Sequence, residues 1–375
     1  MPNAAIRIAT FNVENLFARA RIMNLKSWQD GKEVLAIYAR LNTLFQKSAY
    51  SASDKLAILE GLKKIGLGKN DDNQNVRLRQ NRGKLVRRPK GKPPEIVANG
   101  RGDWIGWLEL VTEAVNDVAT QNTARVIKEM RPDILGVVEA EDRISLKHFN
   151  EDVISAVGGA SFDHVMLIDG NDERGIDLGL MTRKGFEIVS MVSHVDDEVG
   201  GKLVFSRDCP EYEVKLPSGA TLLVLANHLK SKGYGSQSDS DAKRGLQAKK
   251  IREIYDARRA AGAKHLVVMG DFNDYPEHGP LDSLLKNGSD LKDVSLHPAF
   301  QSDGRPGTYG NGTASGKFDY VLLSPDLFAK VKSAGVFRKG VWGGKNGTLW
   351  PHFPEITKEV EAASDHAAVW AEIEV

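Results

Sequence analysis

The sequence predicts an α/β protein in which two β-sheets pack face to face and helices flank them. Short apolar or alternating runs of strand length recur from end to end of the chain. Only a few long helical patterns separate them, which favours a layered sandwich over a helical bundle. Charged and amide residues recur where the strand-like runs stop.

Taken in order, "IRIATFNV" (6–13) alternates apolar and polar residues and predicts a strand. Residues 31–47 carry Val34, Leu35, Tyr38, Leu41, Leu44 and Phe45 at helical spacing, and residues 54–65 do so with Leu56, Leu59, Leu62 and Ile65. The basic stretch that follows is rich in Gly, Asn and Pro and predicts loop. Residues 111–130 predict a helix that Pro132 ends, and "DILGVVEAE" (133–141) a buried strand ending on acids. "GIDLGLMTR" (175–183) and "FEIVSMVSHV" (186–195) read as strands, 212–231 as a hairpin around "PSGA", and 238–262 as a helix. "HLVVMGDFN" (265–273) predicts a strand, with Asp274 and Glu277 in a solvated loop and a short helix from Pro280 beyond it, and "FDYVLLS" (318–324) and "DHAAVWAEIEV" (365–375) predict the last strands. No repeat of fixed period appears. The expected organisation is one domain over 1–375, carrying an insertion of helices and a basic loop over 19–111.

Composition narrows the classes. The chain has 375 residues, 41% hydrophobic and 27% charged, as expected of a globular protein. No window approaches the apolar length of a membrane-spanning helix. No basic segment followed by an apolar one precedes the first strand, so the chain as written reads as cytoplasmic; one trimmed of a leader would be secreted. Cys209 is the single cysteine, which rules out an intrachain disulfide. Net charge is +1, but unevenly spread. Between Lys63 and Arg101, twelve Lys/Arg face three Asp/Glu, a local +9, and the remaining 39 basic and 47 acidic residues give −8. Such a segment is the footprint of a polyanion partner or a solvated loop.

Asn12 and Glu14 follow the first strand, Glu139 and Glu141 follow "ILGVV", His228 follows "LLVLAN", and Asp271 and Asn273 follow "VVMG". Asp319 lies in "KFDYVLL", and Asp365 and His366 lead into the last strand. Each alone reads more readily as a turn former. Converging on one rim, they would make an acidic cleft with two histidines. Carboxylates and amides suit hard cations such as Mg²⁺, and a carboxylate-oriented histidine suits proton transfer. Without a cysteine cluster the set points away from structural zinc and towards metal-assisted phosphoester hydrolysis. No phosphate-binding Gly-rich loop with Lys-Ser/Thr and no Gly-x-Ser-x-Gly turn is present.

The motifs "TFNVENL", "PDILGVVEAE", "RGIDLGLMTR", "NHLKSKG", "GDFND", "FDYVLL" and "SDHAAV", in this order, resemble the endonuclease/exonuclease/phosphatase superfamily. That superfamily includes pancreatic-type deoxyribonuclease, abasic-site endonucleases, sphingomyelinases and inositol phosphatases. The resemblance covers residues 6–18 and roughly 112–375, and is nearest to bacterial deoxyribonuclease-like members. It implies a four-layer α/β sandwich, with two mixed sheets between helices. It also implies roles. Glu139 looks like the principal metal carboxylate, with Asn12 and Asp365 beside it and Asp271 at the same centre. Asp271 and Asn273 look like the pair holding the attacking water and the phosphoryl group. His366 looks like the general base, oriented by Asp319. His228 looks like the histidine on the scissile phosphate, with Asp177 its candidate supporting acid and Arg174 a substrate contact. Glu14 stands where many relatives have Asp.

The resemblance thus implies a Mg²⁺-dependent nuclease acting on DNA, with Mn²⁺ or Ca²⁺ as alternative ions, or else a phosphatase or sphingomyelinase-like phospholipase of the same fold. A monomer is expected. The basic run Lys84, Arg87, Arg88, Lys90 and Lys92 is the expected phosphate-backbone contact. Trp104 and Trp107 are expected in a core, and Trp342, Trp350 and Phe353 in a loop that stacks bases or grips lipid.

Overall fold

Strand alternation sorts the side chains of the first strand, Ala5–Asn12, into two layers. Ile6 and Ile8 enter one hydrophobic core, and Ala9 and Phe11 enter another. The computed structural model describes residues 5–23, 28–232 and 236–375; the residues ahead of Ala5 and Gly233 of "NHLKSKG" lie outside them. Two compact units result. One holds the chain up to Phe17 with Val115–Lys232 and Gln237–Val375, and the other centres on Ala18–Ala114.

The first unit is a sandwich of two mixed sheets. One has seven strands, in the order Phe300–Gln301, Val331–Phe337, Ala368–Glu374, Ala5–Asn12, Ile134–Ala140, Asp177–Thr182 and His164–Ile168. The other has six, in the order Glu187–Val192, Glu211–Lys215, Thr221–His228, Leu266–Asp271, Asp319–Leu323 and Lys292–Asp293. Ile6, Ile8, Ile134 and Leu180 meet Val214, Val224, Val267, Met269 and Val321 between the sheets. The helix Asp117–Met130 covers the outer face of the first sheet through Ala124, Ile127 and Met130, and Gln237–Ala260 covers the second through Ala248, Ile251 and Tyr255. Helix, sheet, sheet, helix is the four-layer arrangement expected.

Four expectations are corrected. The helix expected over 111–130 begins only at Asp117, because Asn116 caps it with its side chain and Thr112–Ala114 pairs instead as a strand with Ala18–Ala20. The strands His164–Ile168 and Val331–Phe337 were not foreseen. Asp274, expected to be solvated, is fully buried: Arg244 (3.0 Å) and Lys232 (2.7 Å) neutralise it, and His278 Nδ1 lies at hydrogen-bond distance (2.8 Å). The loop 340–354 is folded on itself. Phe353 is buried, Trp342 stacks on His352, and the Trp350 indole donates to the Val341 carbonyl.

The second unit has its own core, and its basic stretch is not all loop. Val76–Arg82 pairs antiparallel with Ile105–Leu110, because Val76, Leu78, Leu108 and Leu110 alternate onto one face and bury it. The helices Trp28–Phe45 and Ala52–Lys64 supply Leu35, Tyr38, Leu41, Ile58 and Leu62 to the same core. Trp104 is fully buried, edge-on to Phe45, and its indole donates to the Tyr50 hydroxyl (3.0 Å). Trp107, of opposite parity, is 40% exposed, which splits the expected core pair. Arg88 donates to the Leu67 carbonyl (2.8 Å) and pairs with Asp71 (2.6 Å), so it braces this unit rather than offering itself to a phosphate. Arg87 faces Glu95 at 3.4 Å, and Lys84, Lys90 and Lys92 are exposed.

Gly270 shows how closely the strands fit. Its φ is +135°, and a Cβ there would sit 1.9 Å from the Asn227 carbonyl oxygen. Gly270→Ala should therefore cost about 3 kcal/mol or more in urea unfolding. Gly279→Ala, with open space around it, should change stability little. Equal stabilities for the two variants would contradict the register.

Candidate active site

Alternation that places Ile6 and Ile8 between the sheets carries Asn12 to the same side. In the second sheet it does so for His228 beyond Leu222 and Val224, for Asp271 beyond Val267 and Met269, and for Asp319 before Val321. Pairing then sets His228 opposite Asp271, and Asp271 opposite Asp319. The site is therefore the polar mouth of the inter-sheet core.

Glu139 breaks the alternation. Leu135 and Val137 face the outer helix layer, and parity would send Glu139 with them. Asp177 pairs with Ala140 and Leu178 with Val138, so Glu139 is the extra residue of a β-bulge, at φ +70°. The bulge re-aims the side chain. Glu139 Oε1 lies 3.7 Å from His228 Nε2, which is also 3.7 Å from Asp271 Oδ2. The Asn12 amide donates to Asp271 (3.2 Å), and the Asn273 backbone N–H donates to the other Asp271 oxygen (2.8 Å).

His366 completes the ring. Its Nδ1 donates to Asp319 Oδ2 at 2.8 Å, leaving Nε2 facing Asp271 (3.8 Å) and Asp365 (3.9 Å). Thr308, which the sequence did not single out, locks this pair. Its hydroxyl donates to Asp319 Oδ2 (2.6 Å) and accepts the backbone N–H groups of Asp319 (3.0 Å) and Phe318 (3.2 Å). Tyr309 stacks on Phe318 with ring centres 5.1 Å apart and lies 4.9 Å from the His366 ring. Both residues sit in an irregular loop, where no periodicity marks them. Glu14 accepts the Asp365 N–H (3.1 Å), and Glu141 accepts those of Leu16 (3.1 Å) and Phe17 (2.7 Å).

The two histidines are pushed in opposite directions. Burial opposes charge on His366, but Asp319 and Asp271 outweigh it and raise its pKa well above the usual value. Burial, reinforced by Arg207 and Arg174, keeps His228 neutral. Such divergence is how one site assigns proton-holding and neutral partners. Burial also pushes the Asp271 carboxyl up to about 7; His366 opposes this, and Asp319 and Glu139 add to it.

The pocket thus gathers more negative charge than its own cations offset. Glu139, Asn12, Asp271 and Asp365 offer carboxylate and amide oxygens without thiols, a donor set that fits a divalent cation. Donor atoms of Asp271, Asp319 and His366 all lie within 4.8 Å of one another. A second such group, Asp241, Asp274 and His278, is already neutralised by Arg244 and Lys232.

One expected site residue is placed otherwise. Asp177 accepts the Gly170 N–H (2.7 Å), and His228 Nδ1 has no hydrogen-bond partner among the described residues, so Asp177 does not support that histidine. Its bulged strand end turns the carboxyl towards the 170s loop. Arg174 forks onto Asp172 (2.9 and 2.6 Å), which Arg207 also grips (2.8 Å). Burial pushes the Asp172 carboxyl up, but the two guanidiniums overcome it and hold it well below the usual range.

A model of the endonuclease/exonuclease/phosphatase family matches residues 114–366, more than half of the chain, and the protein belongs to that family. The family's enzymes hydrolyse phosphoesters and are typically divalent-metal-dependent. Among solved structures, an endonuclease/exonuclease/phosphatase family protein of Bacteroides thetaiotaomicron is 18% identical, with a TM-score of 0.50, over 68% of this chain and 86% of its own. A mannosyl-6-phosphatase of the same organism is also 18% identical, with a TM-score of 0.50, over 68% of this chain and 91% of its own. These likenesses show the fold. No curated protein matches the sequence.

Asp177 supplies a test that separates stability from chemistry. Burial raises its carboxyl to about 7. The folded state therefore prefers the protonated form, and stability is lost as pH rises from the unfolded value through 7. Asp177→Asn should gain on the wild type between about pH 5 and about pH 8 in thermal unfolding, at about 1.4 kcal/mol per pKa unit at most. An equal gap at both pH values would show the carboxyl ionising normally.

Proposed function

We propose that this protein is a divalent-metal-dependent phosphodiesterase whose substrate is DNA. The observation that carries the reading is the His366–Asp319 pair, fixed by Thr308 and aimed at Asp271 in a mouth shared with Asn12, Glu139 and His228. The carboxylates that raise the His366 pKa also make it a strong base: with a cation offsetting their charge, it would keep Nδ1–H on Asp319 and present a free Nε2 to take a proton from an attacking water. Asp319 stabilises the imidazolium so formed. Asp271 and Asn273 orient that water and the phosphoryl group, and neutral His228 faces a phosphoryl oxygen. Glu139, Asn12 and Asp365 are the residues that would hold the cation, which when bound supplies positive charge to the phosphoryl oxygens.

DNA is favoured by charge. Ala18–Ala114 has nineteen Lys/Arg and ten Asp/Glu, a net +9 in a chain of net +1. Within its basic run Lys84, Arg87, Lys90 and Lys92 are exposed, while Arg88 is committed to Asp71 and the Leu67 carbonyl. A phosphomonoester is the competing substrate, because a mannosyl-6-phosphatase shares the fold.

Purified protein should cleave plasmid or linear DNA with Mg²⁺ and leave a generic phosphomonoester largely intact. Glu139→Ala should lower turnover by orders of magnitude with the fold retained. Full cleavage by this variant, or by wild type in excess EDTA, would contradict the metal assignment.

His366→Ala and Asp319→Asn should each be severely impaired, and the double variant little worse than His366→Ala, because groups acting as one unit are non-additive. Losses that multiply would show that Asp319 does not orient His366.

A further inference from the structure

The ribbon formed by Val76–Arg82 and Ile105–Leu110 has a second face that the core does not use. Arg77 pairs with Glu109, Arg79 with Trp107, and Arg82 with Ile105 across a register shift. Five of these side chains lie opposite in parity to buried Val76, Leu78, Leu108 and Leu110, and the register shift after Gln80 brings Arg82 to the same rung as Ile105. The outer face therefore shows three arginines, one glutamate, and two apolar residues left open, Trp107 at 40% and Ile105 at 38% exposure.

That face is held rigidly from behind. A Cβ on Gly106 would lie 2.0 Å from the Arg79 carbonyl oxygen and 2.4 Å from the Trp104 ring, so the ribbon closes tightly over Trp104. The Asn42 side chain accepts the Leu108 N–H at 3.0 Å and ties the ribbon to the helix Trp28–Phe45. Arg79 is forked onto Glu109, which leaves Arg77 and Arg82 as the cations flanking the tryptophan. Residues two apart on a strand are about 6.8 Å apart, so Arg77 and Arg82 lie one rung to either side of the ring.

We infer that this face is a stacking platform for a single-stranded nucleic acid, with Trp107 taking a base and Arg77 and Arg82 the flanking phosphates. Charge complementarity selects the occupant. The unit carries +9, and the face pairs cations with an exposed indole, the combination that tracks an unpaired strand. A duplex hides its base faces and could use only the arginines. The inference takes its ligand class from the nucleic-acid reading above, but concerns binding and not the hydrolytic site.

The test is fluorescence anisotropy of a labelled oligo(dT) of about 20 nucleotides with the full chain in EDTA, so that cleavage plays no part. The single strand should bind more tightly than a duplex of equal length. Trp107→Ala should weaken it roughly tenfold or more, and Trp107→Phe much less. Arg77→Ser with Arg82→Ser should lower the salt slope by about 1.4, at about 0.7 per phosphate contact. Metal-dependent turnover of bis-p-nitrophenyl phosphate should be unchanged in every variant. Tryptophan emission of the wild type should be quenched by the oligonucleotide, and the quench largely lost in Trp107→Phe, a readout that stands even where Trp107→Ala folds poorly. Unchanged affinity in Trp107→Ala, or tighter binding of duplex, overturns the platform. Loss of cleavage with binding retained would count against the hydrolase reading alone.

Discussion

The site depends on a single rung of the second sheet, His228 beside Asp271 beside Asp319. Two carboxyls and an imidazole are forced together where three strands leave the inter-sheet core, and none of them reaches water freely. Groups so placed cannot all carry their ordinary charge. The surrounding residues respond to this constraint. His366 retains a proton against burial, His228 gives its own up, and Asp271 resists ionising. The Thr308 hydroxyl then fixes which Asp319 oxygen His366 can reach. Removing the rung would leave the same side-chain types without the pressure that sets their protonation.

Packing and chemistry use the same alternation. Val267 and Met269 fill the core that Asp271 closes, and Leu222 and Val224 do so for His228. The two sheets approach closely enough that a Cβ on Gly136 would sit 2.7 Å from the Met269 methyl. The tight core keeps the strand ends, and the groups they carry, from drifting apart.

Much of this was legible in the sequence wherever a period exists. "IRIATFN" and "HLVVMGD" declare both a strand and the side on which the terminal polar residue falls. The polar residues at strand ends were visible as types, and their ordered motifs identified the family. What escaped lay where periodicity is silent. Thr308 and Tyr309 sit in a loop, and their roles come from distant contacts to Asp319 and His366. Trp104 and Trp107 were both expected in a core, yet strand parity puts them on opposite faces. Charge alone could not tell Arg88, spent on Asp71 and a carbonyl, from Lys90, which stays in solvent. Asp177 was implied as the supporting acid of His228 by the family resemblance alone, but its bulged strand end turned it to the Gly170 backbone.

The bulge at Glu139 has a wider meaning. By adding one residue to Ile134–Ala140, it frees the strand from having to serve two layers with one phase. Leu135 and Val137 answer to the helix behind them, while Glu139 answers to the mouth in front. The outer core and the site can therefore drift independently over evolutionary time. Two relatives could repack their helices differently and still present this acid to the same point in space. Conversely, a one-residue deletion upstream of the bulge would leave every amino-acid type in place and reverse which layer each one faces.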